Sequence, residues 1–434
     1  MGLGEKLRYQ IFWLVDFLKG HRLKELLNYT RKILSKRDFE YVNLEIKSKL
    51  AELLAHATTT TTFYEHIEPN SLDNFPIINK NLIRDNFEDF KSSTFSLNSC
   101  VKVSTSGSTG APFSIYQNKT KVNKNVVDNI YFSAQSNFKV GNHLVYIKIW
   151  KNSFNIKMRY SFKMKNIYPC SIFNLSNLEI DKLIKKLNKS NSPISFIGYS
   201  SAFEKICNYL DGLEENPIKF KTISLITISE ALNHTTRKSV FKYFNIKPIS
   251  RYSNNENGII AQQIDPDDTR FRINDSSYVI EIFDLNKDEK LGNGKLGRIV
   301  ITDLYNKVNP IIRYDTGDVG IMKVDQEGKP YFTHVYGRKL DLIYDTMGML
   351  VPSHISARLV NYGNFKQFQF VQKGLKQYEI NLNTETKVNE NELIKEFQSY
   401  LGSNAEIKIN YVSEIPILAS GKRREVVNEY YNQL

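Results

Sequence analysis

Apolar positions recur three and four residues apart from Leu23 to Phe63, with charged residues between them. This period predicts amphipathic helices. Between about Thr120 and Ile301 the chain instead contains short apolar runs separated by helical stretches. The clearest of these predicted strands are Leu144 to Ile149, Ile194 to Ile197, Ile223 to Ile228 and Tyr278 to Phe283. Strands that alternate with helices predict an α/β domain.

The C-terminal part of the chain has a different pattern. Strand-like runs there surround one helical stretch, Asn391 to Leu401, and comprise Phe368 to Val371, Tyr378 to Leu382 and Glu406 to Tyr411. This order predicts a small α+β unit. We therefore expect a large N-terminal α/β domain with mixed sheets over residues 1–337, including a helical segment over 1–65, and a small C-terminal α+β domain over 338–434.

The N-terminal segment carries an apolar stripe at helical spacing. Its members are Leu7, Ile11, Leu14 and Leu18, with Trp13 and Phe17 widening it and Lys6, Arg8 and Lys19 beside it. Asp16 interrupts the apolar run, which is too short to span a bilayer and leads to no small-residue cleavage site. We expect a helix that packs on the protein's own body, with peripheral attachment to a membrane as the alternative.

The composition is that of a globular protein of 434 residues, a length that suits a large domain plus a smaller one. The formal net charge is +13, but the Lys and Arg residues are scattered, so no nucleic-acid partner is expected. The three cysteines, Cys100, Cys170 and Cys207, lie far apart with no His or Cys at metal-ligand spacing. This usage argues against a disulfide framework and predicts a reducing, cytoplasmic setting.

A strand-like run, Val101 to Val103, opens into a loop of small residues from Thr105 to Pro112. Gly107 and Gly110 permit positive φ angles and close backbone approach. The hydroxyl donors of the loop are Thr105, Ser106, Ser108 and Thr109. Such a loop is typical of a phosphate-binding turn, although a plain linker has the same composition. It is not a Walker A loop, because no Gly-Lys-Ser/Thr ends it.

Two later segments carry candidate ligand groups. The predicted loop Tyr252 to Gly258 makes Tyr252 a candidate to stack on a base and Glu256 a candidate to hold Mg²⁺. In the segment Tyr314 to Asp318, the final carboxylate lies beyond a tight Thr-Gly turn. It is a candidate acceptor for both hydroxyls of a ribose, and Arg338 is a candidate to bridge ribose and phosphate. An ordinary surface turn is the alternative for this segment.

A fourth segment, Pro416 to Arg424, places Lys422 on a glycine-containing turn, which by itself has the composition of a solvated basic tail. The four segments, in this order, resemble the adenylate-forming superfamily of acyl-CoA synthetases, luciferases and peptide-synthetase adenylation domains. The resemblance covers nearly the whole chain and includes Phe75 to Lys80 and Gly297 to Thr302. It is closest to the phenylacetate-CoA ligase-like branch, which includes members linked to capsular polysaccharide synthesis.

The resemblance implies a two-step ligase. A carboxylate attacks the α-phosphate of ATP, pyrophosphate leaves, and an acceptor takes the acyl group, so ATP, Mg²⁺ and CoA are the expected cofactors. The implied roles are phosphate binding for Thr105, Ser106, Gly107, Ser108, Thr109 and Gly110, magnesium binding for Glu256, adenine contact for Tyr252, ribose contact for Asp318, and lining of the adenine and acyl pockets for Ser229 and Glu230. The implied catalytic residues are Lys422 and Arg338.

Two departures from the superfamily pattern concern these roles. Asn255 stands where members usually have the Thr whose hydroxyl contacts the α-phosphate, which predicts an altered geometry of nucleotide binding. Leu340 stands where the Asp at the pivot of the small domain is usual, with Asp341 after it.

Several functions compete for this pattern. Transfer of the acyl group to CoA is the leading hypothesis. Transfer to an amino sugar or a carrier protein is the alternative, favoured by the capsule-linked resemblance and the amphipathic N-terminus. A retained fold that acts only as a scaffold is opposed by the presence of Lys422, Glu256 and Asp318. A serine hydrolase is opposed because Gly198 to Ala202 lacks the second glycine of a nucleophile elbow.

Overall fold

The computed structural model describes residues 2–35, 39–105, 113–150, 154–172, 175–232, 234–338, 342–351, 359, 362, 365, 367–384, 386–416 and 426–430. Its helices are α1 (Leu3–Leu18), α2 (Arg22–Ser35), α3 (Phe39–Thr60), α4 (Lys80–Asp85), α5 (Lys119–Ala134), α6 (Ile156–Lys165), α7 (Asn177–Leu187), α8 (Ser200–Asp211), α9 (His234–Phe244) and α10 (Glu390–Leu401). Short 3₁₀ turns cover Thr62–Tyr64, Leu72–Asn74 and Leu97–Ser99.

The strands are β1 (Val101–Thr105), β2 (Phe113–Gln117), β3 (His143–Lys148), β4 (Ile167–Ser171), β5 (Ile194–Tyr199), β6 (Thr222–Ile228), β7 (Ile249–Asn254), β8 (Gly258–Gln263), β9 (Phe271–Ile273), β10 (Tyr278–Phe283), β11 (Leu296–Asp303), β12 (Tyr314–Val324), β13 (Pro330–Arg338), β14 (Ile343–Tyr344), β15 (Leu350–Val351), β16 (Gln367–Gln372), β17 (Gln377–Asn383), β18 (Glu406–Tyr411) and β19 (Val426–Asn428). These elements confirm the α/β class predicted from the sequence.

Among the described residues, eleven strands form one mixed sheet in the order β10-β11-β12-β13-β9-β8-β7-β6-β5-β3-β4. The half from β4 to β7 is parallel, since β3 runs parallel to both β4 and β5, and β6 runs parallel to β5 and β7. From β7 onward the strand pairs β7/β8, β8/β9, β9/β13 and β10/β11 are antiparallel. The sheet therefore changes from parallel to antiparallel at β7.

The central strands of the parallel half, β5 and β6, are buried on both faces, and they are apolar for that reason. Phe196 and Leu225 lie at the centre of a cluster to which α7, α8 and α9 contribute Ile184, Phe203 and Phe244. All of these side chains are almost fully excluded from solvent. Strands covered on both faces read as continuous hydrophobic runs, which is why β5 and β6 were predictable from sequence.

Contact clustering divides the chain into two compact units, of which the first holds most residues up to Val335. The described part of the second unit comprises Phe113, Gly317–Val319 and residues from Tyr336 onward. Its four-stranded sheet has the order β18-β17-β16-β19. Helix α10 covers this sheet, with Phe397 packed near Phe370 in the unit's own core.

Two local predictions differ from the structure. Tyr252 lies within β7 rather than in a loop, and the predicted Thr-Gly turn before Asp318 lies within β12, where Gly317 has a φ of 76°. In both segments polar residues occupy an interior strand of the large sheet. Strands are predicted from apolar runs or from alternating apolar and polar residues. These polar segments show neither pattern, so their extended backbone could not be predicted.

The N-terminal stripe also differs from the expectation. Leu7, Ile11, Leu14 and Leu18 form a helix, α1, but all four are exposed. The buried members of α1 are Glu5 and Asp16, and Trp13 is the apolar residue that packs against α2 and α5. The helix therefore packs on the protein body as expected, but through Glu5, Trp13 and Asp16 and not through the predicted stripe. No helix among the described residues is long and apolar enough to cross a membrane.

Candidate functional site

The carboxyl ends of β6 and β7 bring several predicted site residues to one edge of the sheet. The two strands are parallel, with Ile226 opposite Ile249 and Thr227 opposite Ser250. Ser229 and Glu230 follow the end of β6, while Asn255 and Glu256 follow the end of β7. Ligands of open α/β sheets bind at the carboxyl ends of the strands. The structure therefore places these candidates where a ligand site is expected.

The turn between β7 and β8 is fixed by its own side chains. Asn254 Oδ1 accepts a hydrogen bond from the backbone N–H of Asn257 at 2.7 Å, and Asn254 Nδ2 donates to Asn257 Oδ1 at 3.0 Å. Gly258 has a φ of 106°, and a Cβ there would lie 2.7 Å from Asn125 Oδ1. This turn leaves Asn255 exposed and directs Glu256 into the protein, where the residue is 1% exposed.

Glu256 is held by three groups from distant parts of the chain. Lys80 Nζ lies 2.9 Å from Glu256 Oε1, and the hydroxyl of Tyr314 donates to the same oxygen at 2.8 Å. Gln117 Nε2 donates to the backbone carbonyl of Glu256 at 2.9 Å. Among the described residues, no hydrogen bond or ion pair involves the other carboxylate oxygen, Oε2.

Lys80 reaches Glu256 because its segment runs beside the start of β12. The N–H of Ile78 donates to the carbonyl of Arg313 at 3.0 Å, and the N–H of Asp315 donates to the carbonyl of Ile78 at 2.8 Å. Asn79 then caps α4, since its side chain accepts from two backbone N–H groups of the first turn. Lys80 is therefore the first residue of that helix, with its ammonium turned to the carboxylate.

A cluster of buried charges lies behind the same turn. Lys121 Nζ lies 2.6 Å from Asp303 Oδ2 and donates to the carbonyl of Asn257 at 2.7 Å. Both Lys121 and Asp303 have side chains that are fully buried. The hydroxyl of Tyr278 also donates to the carbonyl of Asn257. The residue next to Glu256 is thus fixed by a buried ion pair and a buried hydroxyl.

A second buried pair, Lys124 and Asp128, extends this cluster along α5. Lys124 Nζ donates to Ser276 Oγ at 3.0 Å, and Ser277 Oγ donates to Asp128 Oδ2 at 2.7 Å. Burial lowers the pKa of Lys124, although the charge of Asp128 opposes that shift. Sequence analysis missed the whole cluster. Its only signal was the spacing of Lys121, Lys124 and Asp128, which places them on one helix face.

Tyr252 lies at the end of β7 with its ring against the antiparallel half of the sheet. The ring is half-buried and meets Phe332 edge to face, with centroids 6.1 Å apart. Its hydroxyl lies 3.5 Å from Thr316 Oγ1, at the limit of a hydrogen bond. Thr316 in turn donates to the carbonyl of Ile299 at 2.9 Å. The role of Tyr252 in adenine contact stays a prediction.

Ser229 and Glu230 are arranged differently from Glu256. Ser229 is exposed and adopts a φ of 68°, and its side chain is hydrogen-bonded to Tyr199. Glu230 Oε2 accepts a hydrogen bond at 2.8 Å from the N–H of Ser201 in the first turn of α8. Burial, and then the charge of Glu230, raises the pKa of Glu204. Glu230 therefore acts as a helix cap, which sequence analysis did not predict.

The other predicted site residues have defined places or lie outside the described residues. Asp318 lies in β12 after Gly317, whose φ is 76°, and Arg338 is the exposed last residue of β13. Thr105 ends β1. The remaining loop candidates, Ser106, Gly107, Ser108, Thr109 and Gly110, lie outside the described residues, as do Leu340 and Lys422. The roles of all these residues stay predictions.

The fit of a magnesium ion rests on Glu256. Within the described ranges, no group of three or more His, Cys, Asp or Glu side chains could hold a metal ion. Mg²⁺, however, usually takes only one or two protein carboxylates, with substrate phosphates and water completing its shell. Glu256 lies at the carboxyl edge of the sheet, and Lys80 and Tyr314 contact only its Oε1. This arrangement fits the binding of Mg²⁺ by one protein carboxylate together with phosphates and water.

Comparison with solved structures identifies the architecture. The chain superposes on 2-hydroxyisobutyryl-CoA ligase, solved in complex with 2-HIB-AMP, with a TM-score of 0.68, 15% sequence identity and 91% coverage of both chains. The chain has the fold of an adenylate-forming CoA ligase. ATP-bound MatB from Rhodopseudomonas palustris shares this fold with a TM-score of 0.51, at 14% identity, over 77% of this chain and 68% of the other. The resemblance stated from the motifs is thus confirmed at the level of the fold.

Sequence comparison gives two further matches. Residues 343–429 match the CapK C-terminal domain family. Protein CapK of Staphylococcus aureus is 24% identical over 431 residues, which is 95% of this chain and 88% of the relative. The match of the C-terminal domain lies within the second compact unit.

Proposed function

We propose that this protein activates a carboxylic acid with ATP and transfers the acyl group to an acceptor. In the first step a carboxylate oxygen bonds to the α-phosphorus of ATP as the bond to pyrophosphate breaks. In the second step a nucleophile of the acceptor bonds to the acyl carbon, and AMP leaves. CoA is the leading acceptor, since the chain shares the fold of ligases solved with acyl-AMP and CoA.

The observation that carries this proposal is the arrangement of Glu256. A buried carboxylate costs free energy unless it is paired, and here Lys80 and Tyr314 pair only one of its oxygens. The turn that presents it is fixed by Asn254 and by the buried Lys121–Asp303 pair. A preorganised carboxylate at the ligand edge of an α/β sheet is better explained by a metal–phosphate complex than by stability alone.

In this proposal each candidate residue has one role. When bound, Mg²⁺ neutralises phosphate charge, and Glu256 holds it. Tyr252 lies beside the adenine, Asp318 accepts the ribose hydroxyls, and Arg338 bridges ribose and phosphate. The loop from Thr105 to Gly110 binds the β- and γ-phosphates.

Ser229 and Glu230 line the pockets for adenine and the acyl group. Their turn depends on contacts to Tyr199 and to the N-terminus of α8, which are also parts of the same edge. Asn255 takes the place of the usual Thr beside the α-phosphate. The assignment of residues 1–337 and 338–434 to a nucleotide-binding domain and a small domain with the lysine turn belongs to the same proposal.

Lys422 stabilises the charge that develops between the attacking carboxylate and the α-phosphate. Removing one preorganised charge of this kind costs about 10²- to 10³-fold in rate. We expect Lys422→Ala to reduce acid-dependent pyrophosphate exchange by that factor and to leave ATP binding nearly unchanged. Isothermal titration of ATP and exchange assays on the same preparation provide the two readouts. Normal exchange in the variant would remove Lys422 from catalysis.

A second acceptor class is supported by one observation. The match of residues 343–429 to the CapK C-terminal domain, with a CapK relative over most of the chain, favours a branch apart from the solved CoA ligases. The alternative is therefore transfer to a non-CoA acceptor, an amino sugar or a carrier protein, in surface polysaccharide synthesis. A cytoplasmic location belongs to this proposal as well.

A pyrophosphate-release screen tests the proposed function. The panel comprises aryl acids, amino acids and sugar acids, each with ATP and Mg²⁺, with and without CoA. Acid-dependent release supports the first step, and a CoA-dependent acyl product separates the two acceptor classes. No release with any acid, together with no ATP-induced rise in melting temperature, would contradict the proposal, since a ligand that binds the folded state stabilises it.

A further inference from the structure

Helix α1 turns its polar residues inward. Glu5 and Asp16 are 2% and 4% exposed, respectively. Glu5 Oε1 accepts a hydrogen bond from the N–H of His143 at 3.2 Å, and its Oε2 accepts from the N–H of Gly2 at 2.8 Å. The carboxylate of Asp16 accepts from the N–H groups of Leu23 and Lys24, both at 2.9 Å. Asp16 therefore caps the N-terminus of α2 and ties the end of α1 to it.

The same helix lies directly on the protein body. A Cβ added at Gly141 would lie 2.6 Å from the carbonyl oxygen of Glu5 and 3.2 Å from the backbone nitrogen of Tyr9. Trp13 packs against the cluster formed by α2 and α5. Contacts at both ends and in the middle thus fix which face of α1 is turned outward.

The outward face is apolar. Leu3 and Leu18, at the two ends of the helix, are 88% and 73% exposed. The exposed apolar residues of α1 are Leu3, Leu7, Ile11, Leu14, Val15, Phe17 and Leu18. We call these residues the α1 outer face. The next helix, α2, has the ordinary arrangement, in which Leu27, Ile33 and Leu34 are buried.

Such a face calls for an explanation. Single exposed leucines are normal, but a continuous apolar stripe over a whole helix marks an interaction site in a soluble protein. A helix that docked only for stability would bury this stripe and expose its carboxylates. In α1 the carboxylates are buried and the apolar stripe is exposed. Hydrogen bonds between Asp16 and the start of α2, and between Glu5 and the N–H of His143, fix this orientation.

The exposed charges of α1 itself are of one sign. The acidic residues of α1 are Glu5 and Asp16, and both are buried. Lys6 is exposed on the helix, Lys19 is exposed just after it, and Arg8 is half-buried. The chain as a whole carries a net charge of +13. A helix that presents an apolar face and whose own exposed charges are all cations is complementary to an anionic, apolar partner.

Helix α6 adds a second surface of the same kind to this unit. Its cap residue Asn166 donates from Nδ2 to the carbonyl of Gly141 at 3.1 Å, and Gly141 is the residue that contacts α1. The exposed residues of α6 include Ile156, Met158, Tyr160 and Met164 together with Lys157, Arg159, Lys163 and Lys165. Apolar and basic side chains therefore alternate here as well, with no acidic residue in the helix.

We propose that the α1 outer face binds the surface of an anionic lipid membrane. The helix lies in the interface with its axis along the membrane, inserts its leucines between lipid headgroups, and leaves the flanking lysines at the phosphates. At 16 residues, the helix is about 24 Å long, so it lies on a bilayer and does not cross it. A second copy of this chain or a partner helix would also cover apolar groups, but a second copy would bring the same exposed lysines, Lys6 and Lys19, against this face.

Vesicle co-sedimentation of the full chain tests this proposal. The probes are vesicles of phosphatidylcholine alone and vesicles of phosphatidylcholine mixed with phosphatidylglycerol. The test variant is Leu7→Glu with Leu14→Glu. The matched control is Leu44→Glu with Leu178→Glu, which places the same two charges at exposed leucines on α3 and α7. Melting temperatures of both variants establish that the fold is kept.

The expected result has three parts. The wild type binds phosphatidylglycerol vesicles more tightly than phosphatidylcholine vesicles, and added salt weakens that binding. The test variant loses about 100-fold in partition coefficient, because each leucine contributes about 1.4 kcal/mol or more on insertion and that energy is a factor of ten. The control variant loses less than about tenfold, which is the effect of its two added charges alone.

Three results would overturn the proposal. One is wild-type protein that does not bind phosphatidylglycerol vesicles. Another is equal loss in the test and control variants, which would make the effect one of net charge alone. The third is a dimer in sedimentation equilibrium without vesicles that Leu7→Glu with Leu14→Glu dissociates, since a second copy would then cover the α1 outer face.

Discussion

The turn after β7 and the turn after β6 meet at one edge of the parallel sheet, yet different forces hold them. The β7 turn carries Glu256 and rests on buried ion pairs, with Lys121 and Asp303 behind it. The β6 turn carries Ser229 and Glu230 and is held by a hydroxyl contact to Tyr199 and a cap on α8. On the β7 side the buried carboxylates Glu256, Asp303 and Asp128 each have a lysine partner. On the β6 side Glu204 lies near Glu230 and has a raised pKa.

This difference separates the part of the proposed site that serves every substrate from the part that distinguishes one acid from another. A metal–phosphate complex has the same shape for every acid substrate. A rigid support therefore keeps the carboxylate that holds the metal in the productive position for all of them. An acid-binding wall must differ between substrates, and a turn supported by surface contacts accepts substitutions at a small cost in stability. We therefore expect substitutions behind β7 to affect folding and every acid alike, and substitutions after β6 to affect particular acids.

The largest expected effect concerns the support of the β7 turn. Lys121→Met leaves Asp303 buried without its cation, which typically destabilises a protein by about 3–5 kcal/mol. The matched control is Lys307→Met, which breaks the partly exposed pair with Glu52 and typically costs about 0–1 kcal/mol. Urea unfolding of both variants measures the difference. Equal midpoints would mean that the buried pair does not stabilise the turn.

The next effect concerns Glu256 itself. Glu256→Gln keeps the size of the side chain but replaces a carboxylate with a poorer partner for a hard cation. We expect about 100-fold slower acid-dependent pyrophosphate release at limiting Mg²⁺, a barrier change of about 2.7 kcal/mol, with partial recovery at high Mg²⁺. The loss should be the same for every acid that is a substrate. Wild-type rates at limiting Mg²⁺ would remove Glu256 from the site.

A smaller effect is expected from Glu230→Gln. Loss of one charge at the N-terminus of α8 typically costs about 0.3–1 kcal/mol, so the melting temperature should fall only slightly. The informative readout is selectivity: the ratio of kcat/KM between two acids should change, whereas Glu256→Gln leaves that ratio unchanged. An unchanged ratio across the acid panel would show that the β6 turn does not line the acyl pocket.

The smallest effect is a pH dependence on the β6 side. Burial raises the pKa of Glu204 above its usual 4.5, so the carboxylate weakens the fold as pH rises through the raised value. Glu204→Gln should therefore raise the melting temperature at about pH 8 and have little effect below about pH 4.5, where the carboxyl is protonated in both states. A gain of equal size at both pH values would assign the effect to packing rather than charge.

Sequence patterns predicted the parts of this molecule that depend on local period. Strands β5 and β6 and helix α10 lie where apolar runs and helical spacing placed them, because burial on fixed faces repeats along the chain. Tyr252 and Glu256 were found as candidates because an aromatic ring and a carboxylate occur together in one predicted loop, although Tyr252 lies in β7 itself. Asn255 was found because it replaces the Thr of the superfamily pattern.

What the sequence could not predict depends on which groups meet across long distances. The Lys121–Asp303 pair joins positions far apart in the chain, and a lysine on a helix ordinarily indicates a solvated face. The helical period of α1 predicted an apolar stripe but not whether the stripe faces the protein body or the outside. That direction depends on Asp16 capping α2 and on Glu5 reaching His143, two contacts with no periodic signal.

The central claim is that the Glu256 edge supports adenylation of a carboxylic acid. Its most direct test is acid-dependent exchange of labelled pyrophosphate into ATP, run over the acid panel with the wild type and Glu256→Gln in parallel. The account predicts exchange by the wild type with at least one acid, dependent on Mg²⁺ and reduced about 100-fold in Glu256→Gln. Exchange that is equal in the two proteins, or exchange with no dependence on Mg²⁺, would contradict it.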